Sequence, residues 1–103
     1  MNRARLIQLE KFVEEDPTDP FNKYALALEL ANEDQSRALA LLTDIIRVSP
    51  SYVPSYYQAA NLFLEQNRLE EARIVIEKGI VAAHQAKEPK TIAELKSLLE
   101  ELD

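Results

Sequence analysis

The sequence has no cysteine and no tryptophan, and it holds one glycine and one histidine among its 103 residues. Without cysteine there can be no disulfide, thiolate nucleophile or thiolate metal site. A single glycine leaves no glycine-rich phosphate-binding loop. No stretch approaches the ~18 consecutive apolar residues of a membrane-spanning helix, and the N-terminal segment lacks the apolar core of a signal peptide. These absences predict a cytoplasmic protein with no membrane partner.

Positive charge is also scarce: 12 Lys and Arg stand against 18 Asp and Glu, which gives a net charge of −6. A protein that wraps nucleic acid needs a basic stripe, because neutralised phosphates supply most of the non-specific affinity. The one small basic cluster, Arg3 and Arg5, is more typical of a solvated helix end. Nucleic acid is therefore not an expected partner.

Residues that could support catalysis are isolated from one another. His84 is the only histidine and is flanked by alanines and a glutamine, so it has no neighbouring metal ligands or nucleophile. Glu70 and Glu71 fall in the first turn of a predicted helix, where negative charge complements the helix dipole. We therefore expect no enzyme activity, no metal and no cofactor.

What the sequence does contain is a series of helix-forming segments rich in Ala, Leu, Glu and Lys. No segment shows the strict alternation of a half-buried strand. Prolines and short polar runs, which fit connectors and first helical turns, separate the segments. Asp34, Ser36 and Asn67 are candidate N-caps. The predicted helices span about 2–15, 19–32, 36–48, 53–66, 69–86 and 90–102.

Two of these helix pairs repeat one pattern, with a period of roughly 34 residues that indicates a helical solenoid. An aromatic residue opens each copy and is followed by residues predicted to face inward. The first copy comprises Phe21, Tyr24, Ala25, Leu28, Ala38, Leu42, Ile45 and Pro50. The second comprises Tyr56, Ala59, Ala60, Phe63, Ala72, Ile76 and Gly79, with His84 where the first copy has its closing proline.

These residues resemble the tetratricopeptide repeat family, in the form of a small bacterial-type two-repeat protein with flanking capping helices. The resemblance implies an all-α, right-handed α-solenoid of antiparallel helix pairs. Its small positions predict close helix crossings, Ala25 with Ala38 and Ala60 with Ala72. The glycine of the second copy is expected where the next helix along the chain crosses closely.

The terminal helices share the phase of the repeats and are predicted to be structural caps. Leu6, Leu9, Phe12 and Val13 align with apolar residues of 36–48, while Ile92, Leu95, Leu99 and Leu102 continue the pattern after 86. The expected organisation is a single domain, 1–103, of six helices in half, two full and half repeats. Its parts are an N-terminal cap at 1–16, repeats at 18–50 and 51–86, and a C-terminal cap at 89–103.

In the resembled family the first helix of each repeat lines a concave groove, which implies a protein-protein interaction module, an adaptor or scaffold. The groove positions of this chain are Asn22, Leu26, Glu29, Tyr57, Asn61, Leu64 and Lys90, with Ala93 and Ser97 beyond. Asparagine can hold a peptide backbone through donor and acceptor together, and tyrosine offers a large contact area. The lysine and asparagine clamp of the chaperone-binding members is absent. The expected ligand is therefore a peptide or protein segment and not a terminal carboxylate.

A second hypothesis is self-association into a homodimer or larger assembly. The helix at 69–86 carries apolar residues on more than one face: Ile74, Val75, Ile76, Ile80 and Val81. Apolar faces beyond the intramolecular core usually meet a partner.

Overall fold

A computed structural model describes residues 2–103, which form six helices and no strand. The helices lie close to the predicted ranges, so the expected all-α fold of antiparallel helix pairs is confirmed. The bounds are Arg3–Glu15 (α1), Pro20–Leu30 (α2), Gln35–Val48 (α3), Pro54–Glu65 (α4), Leu69–Gln85 (α5) and Pro89–Glu101 (α6).

Capping residues and prolines explain where the helices begin. The carboxylate of Asp34 accepts a hydrogen bond from the backbone N–H of Arg37 at 3.1 Å and caps α3, as predicted. Prolines occupy the first position of α2, α4 and α6, where a missing N–H costs nothing. The other two candidate caps are wrong. Ser36 lies inside α3, and Asn67 adopts a left-handed φ of 58° after α4.

The chain divides into two units, one that ends at Ser49 and one that spans Pro50–Asp103. In the first unit α2 packs against both α1 and α3. In the second unit α5 packs against both α4 and α6, and α4 also meets α6. Each unit is thus one helix pair with one additional helix.

The core of the second unit follows the predicted pattern. Tyr56, Ala60, Ala72 and Ile76 are all buried. A Cβ placed on Gly79 would lie 2.7 Å from the Cβ of Tyr56, closer than real Cβ atoms approach. The helix that approaches Gly79 most closely is therefore α4 and not, as expected, the next helix, although Leu95 Cδ1 of α6 would also lie 3.0 Å from that Cβ.

The predicted inward face of α2 is wrong. Phe21 and Leu28 are 58% and 43% exposed, while Leu26, Ala27 and Leu30 are buried. These three have the same spacing as Ala59, Ala60 and Phe63 of the second unit. The first helices of the two repeats therefore align two residues away from the predicted alignment. Ala25 is accordingly half-buried and is not the small residue at a close crossing. Its predicted partner on α3, Ala38, is fully buried.

The terminal helices differ in how much they bury. Leu9 is the buried residue of α1, and Phe12 remains largely exposed. Helix α6 buries Leu95 completely and also Leu98, which the pattern did not predict. Both helices pack on their units, but α6 contributes more to the apolar core.

Candidate protein-binding surfaces

The first candidate surface is an apolar stripe on α2, formed by Phe21, Tyr24 and Leu28. These residues recur every three or four positions and therefore share one face of the helix. They line an open cleft of about 370 Å³, together with Arg5 of α1. The cleft is lined by Arg5, Phe21, Tyr24, Ala25, Leu28, Glu29, Asn32 and Glu33. Exposed apolar residues grouped in this way are typical of an interaction surface.

An ion pair closes one side of this cleft. Arg5 of α1 places its Nε 3.0 Å from Oε1 of Glu29. The other carboxylate oxygen of Glu29 accepts a hydrogen bond from the backbone N–H of Asn2 at 3.3 Å. The predicted groove residue Glu29 therefore links α1 to α2 through both of its carboxylate oxygens. It lines the cleft, but its carboxylate already has partners within the chain.

The other two groove residues predicted on α2 do not form an open surface. Asn22 donates from Nδ2 to the backbone carbonyl of Phe12 at 3.4 Å, so it also faces α1. Leu26 is only 2% exposed and belongs to the core. Burial leaves Leu26 too little surface to contact a partner.

Sequence reasoning missed the stripe because it assigned Phe21 and Leu28 to the core. No local signal in the sequence places them outside, because the buried face of α2 is set by its tertiary contact with α3, which includes the ion pair of Lys23 with Asp44. Lys23 Nζ lies 2.7 Å from Asp44 Oδ2, which directs the Lys23 side of α2 toward α3. The stripe residues lie on a different side of α2.

The second candidate surface lies on α4, where Tyr57, Asn61 and Leu64 are half-buried and share one face. The side-chain Nδ2 of Asn61 donates to the backbone carbonyl of Tyr57 at 3.0 Å. This bond fixes the amide one turn from the tyrosine ring. Lys90, the remaining predicted contact, is exposed near the start of α6.

A third surface lies on α5, where Ile74 and Val81 are 48% and 57% exposed. The prediction that apolar residues of this helix extend beyond the core is confirmed at these two positions, while Val75 and Ile76 are buried. Glu77 and Lys78 lie between the two exposed residues and are exposed themselves.

Within residues 2–103 no three acidic or histidine side chains group closely enough to hold a metal ion. None of the helices described there combines the length and the apolar composition that a membrane crossing requires. Hydrogen bonds from Lys23 and then Arg47 lower the pKa of Asp44. That group lies in an ion-pair network on the α2–α3 side.

Comparison with known proteins agrees with this architecture. A family model for the tetratricopeptide repeat matches residues 29–102. A solution structure of a tetratricopeptide repeat domain protein from Salinibacter ruber is 35% identical, with a TM-score of 0.79, over 85% of this chain and 90% of that one. A crystal structure of a tetratricopeptide repeat domain protein from the same organism is 34% identical, with a TM-score of 0.77, over 82% of this chain and 96% of that one. No curated protein matches the sequence.

The fold and these matches define a class of helical-repeat modules that are typically non-catalytic and generally mediate protein-protein interaction. The chain belongs to the tetratricopeptide repeat family.

Proposed function

We propose that this chain is an adaptor that docks a segment of another protein, and that the apolar stripe of α2 is one of its contact surfaces. The observation that carries the proposal is the exposure of Phe21 and Leu28 in the lining of one cleft. Large apolar side chains exposed together on one helix face are favourable anchors for a partner, because docking removes them from water. The occupant that fits is an extended or helical segment with apolar side chains.

The surface of α4 takes the same place in the second repeat. When the buried triplets of α2 and α4 are aligned, Tyr24 corresponds to Tyr57 and Leu28 corresponds to Asn61. The family resemblance assigns these positions to ligand contact. We therefore propose Tyr57, Asn61 and Leu64 as contacts of the second unit, with Lys90 as a peripheral charge.

The corrected α2 phase also revises the predicted contact set of the first unit. Tyr24 and Leu28 replace Asn22 and Leu26 as the proposed contacts. Glu29 stays at the edge of the cleft, where it holds Arg5. Any direct contact it makes with a partner is secondary to that role.

The proposal is tested by selecting peptides from a displayed random library against the folded chain and measuring their affinity by calorimetry. Leu28→Glu and Tyr57→Ala should each weaken a selected peptide at its own surface by about 2 kcal/mol or more, roughly 30-fold. Lys11→Ala, an exposed change on α1, is the control and should have no effect. Circular dichroism checks that every variant remains helical.

Lys90→Ala serves as a graded comparison for peptides selected on the second unit. A peripheral charge contributes little and is screened by salt, so its effect should be smaller than that of Tyr57→Ala and should vanish at high ionic strength. If folded Leu28→Glu and Tyr57→Ala variants both retain full affinity for every selected peptide, the docking proposal is wrong.

The exposure of Ile74 and Val81 favours a second candidate function, self-association through α5. Sedimentation equilibrium across a range of protein concentrations tests it. The wild-type chain should show concentration-dependent association, and Ile74→Ser should reduce it. A wild-type chain that stays monomeric at the highest concentrations would exclude this candidate without affecting the docking proposal.

A further inference from the structure

We propose that α5 pairs antiparallel with α5 of a second copy of this chain, about a two-fold axis that passes between Glu77 and Lys78. This inference rests on the self-association proposed above and adds its orientation and register. The occupant of the exposed α5 face is thus the same face of another molecule. Such a self-complementary patch is what a closed two-fold dimer requires.

The patch is a single strip of the helix. Ile74, Lys78, Val81 and Gln85 follow one another at intervals of three or four residues, with Glu77 beside them, so they share one face. All five side chains are exposed. Nothing else in the described residues 2–103 covers them.

The charges in this strip lack internal partners. Within residues 2–103, neither Glu77 nor Lys78 takes part in an ion pair or side-chain hydrogen bond. The neighbouring Arg73 is occupied by Asp103, whose Oδ1 accepts from its Nη2 at 3.1 Å. The glutamate and lysine in the middle of the apolar strip are therefore available to charges from outside the chain.

An antiparallel pair satisfies both the apolar and the charged members of the strip. With the axis between residues 77 and 78, Ile74 of one copy faces Val81 of the other. Glu77 then faces Lys78, and the symmetry repeats both contacts. Toward the ends, Glu70 faces Gln85.

A parallel pair of α5 helices would place like charges against each other. It sets Glu77 against Glu77, Lys78 against Lys78 and Glu70 against Glu70. Like charges that face one another across a helix interface are unfavourable and select against that orientation. Charge complementarity therefore selects the antiparallel register as well as the partner.

The area of the strip sets the strength of the association. One helix pair with two apolar residues per copy buries less than the ~1,200–2,000 Å² of a standard stable interface. The dimer should accordingly be weak, with a dissociation constant of roughly 10 µM to 1 mM. Such an association is visible by sedimentation at high protein concentration.

Charge reversals in the full-length chain test the register. Glu77→Lys and Lys78→Glu should each weaken self-association about 3- to 10-fold, because two pairs of like charges then meet. An equimolar mixture of these two variants should associate at least as strongly as wild type. The double variant Glu77→Lys/Lys78→Glu should also recover wild-type association, since the exchanged pair is again complementary.

Matched controls separate the register from net charge. Glu94→Lys and Lys96→Glu change the net charge by the same amounts at exposed positions of α6, and neither should affect association beyond a small general effect. If Ile74→Ser abolishes association while the α5 reversals behave like the α6 controls, self-association stands and the proposed register is wrong. A wild-type chain that is monomeric at 1 mM overturns both.

The absence of cysteine from the chain permits a direct check of orientation. Glu70→Cys and Gln85→Cys variants, mixed under mild oxidation, should form mainly the mixed disulfide between residues 70 and 85. Predominant 70–70 and 85–85 cross-links would contradict the antiparallel arrangement.

Discussion

The two repeats fill equivalent positions with different chemistry. In the second unit Tyr56 of α4 packs against Gly79 of α5, and the tyrosine hydroxyl donates a 2.6 Å hydrogen bond to the carbonyl of Pro50. Aligning Ala27 with Ala60 on the first helices and Ala38 with Ala72 on the second helices gives the corresponding residues of the first unit, which are Lys23 and Ile45. A large aromatic against a glycine is thus replaced by a lysine and a buried isoleucine.

This exchange changes what stabilises each helix pair. The second unit buries an aromatic side chain, whose transfer from water is strongly favourable. The first unit instead directs Lys23 to Asp44, with side chains 18% and 32% exposed, and an ion pair of this kind contributes little.

The first unit also leaves the stripe of α2 open, and α1 covers less of the core than α6 does. We therefore expect the second unit to carry most of the stability. The first unit carries the larger exposed apolar surface.

The largest effect should separate the two outer helices. Leu95→Ala removes a fully buried side chain of α6 and should cost about 2–5 kcal/mol of unfolding free energy. Leu9→Ala in α1 should cost less, because Leu9 is the one buried residue of that helix and the site can relax. Urea unfolding followed by circular dichroism measures both. Equal losses would show that the two units are equally well packed.

A smaller effect tests the aromatic–glycine contact. On an exposed helix Gly→Ala is stabilising by about 1 kcal/mol. At Gly79 the new Cβ would lie 2.7 Å from Tyr56 Cβ and 3.0 Å from Leu95 Cδ1. Overpacking should reverse the sign and make Gly79→Ala destabilising by about 1–3 kcal/mol. The control is Ile45→Val, the equivalent position of the first unit, where a smaller residue should cost about 0.5–1.5 kcal/mol. A more stable Gly79→Ala protein would show that the contact is loose.

The sequence predicted the helices well because their signals are local. Pro20, Pro54 and Pro89 begin three helices, and Asp34 caps a fourth. The buried face of α4 was also predictable, since its apolar residues lie on one side and polar residues such as Gln58 separate them.

The face of α2 was not predictable in the same way. This helix carries Phe21, Tyr24 and Leu28 on one side and Leu26 and Leu30 on another, so two apolar phases compete. The prediction matched the aromatic Phe21 to the aromatic Tyr56, and this match selected the wrong apolar face of α2. Only the contact of α2 with α3, including its Lys23 ion pair, decides between the phases, and that contact is tertiary.

The ion pair of the first unit should make its stability depend on acid pH. The pKa of Asp44 lies below its ordinary value of 3.8, first because of the hydrogen bond from Lys23. A carboxylate with a lowered pKa stabilises the fold fully above the ordinary range, and the contribution is lost as pH falls through the lowered pKa. Asp44→Asn should therefore cost up to ~1 kcal/mol at pH 7. The difference from wild type should shrink between about pH 5 and pH 2.

The matched control for this pH dependence is Tyr56→Phe in the second unit. Burial raises the pKa of Tyr56, so the group stays neutral throughout the acid range. The loss caused by Tyr56→Phe should not vary between pH 7 and pH 3. If the Asp44→Asn loss were equally independent of pH, the ion pair would not be responsible for it.

The smallest effect concerns the connectors inside the two repeats. After α4 the chain turns through Asn67 with φ 58°, and the N–H of Arg68 bonds back to the carbonyl of Phe63 at 2.8 Å. Glycine adopts this left-handed conformation without the strain of a side chain, although asparagine tolerates it better than most residues. Asn67→Gly should therefore be neutral or stabilising by up to about 0.5 kcal/mol.

The connector of the first repeat has no residue with positive φ. Asn32→Gly should therefore destabilise the protein by about 0.4–1 kcal/mol, because glycine raises the entropy of the unfolded chain. Thermal unfolding resolves the two signs, and equal losses at both positions would mean that the two connectors do not differ in backbone strain.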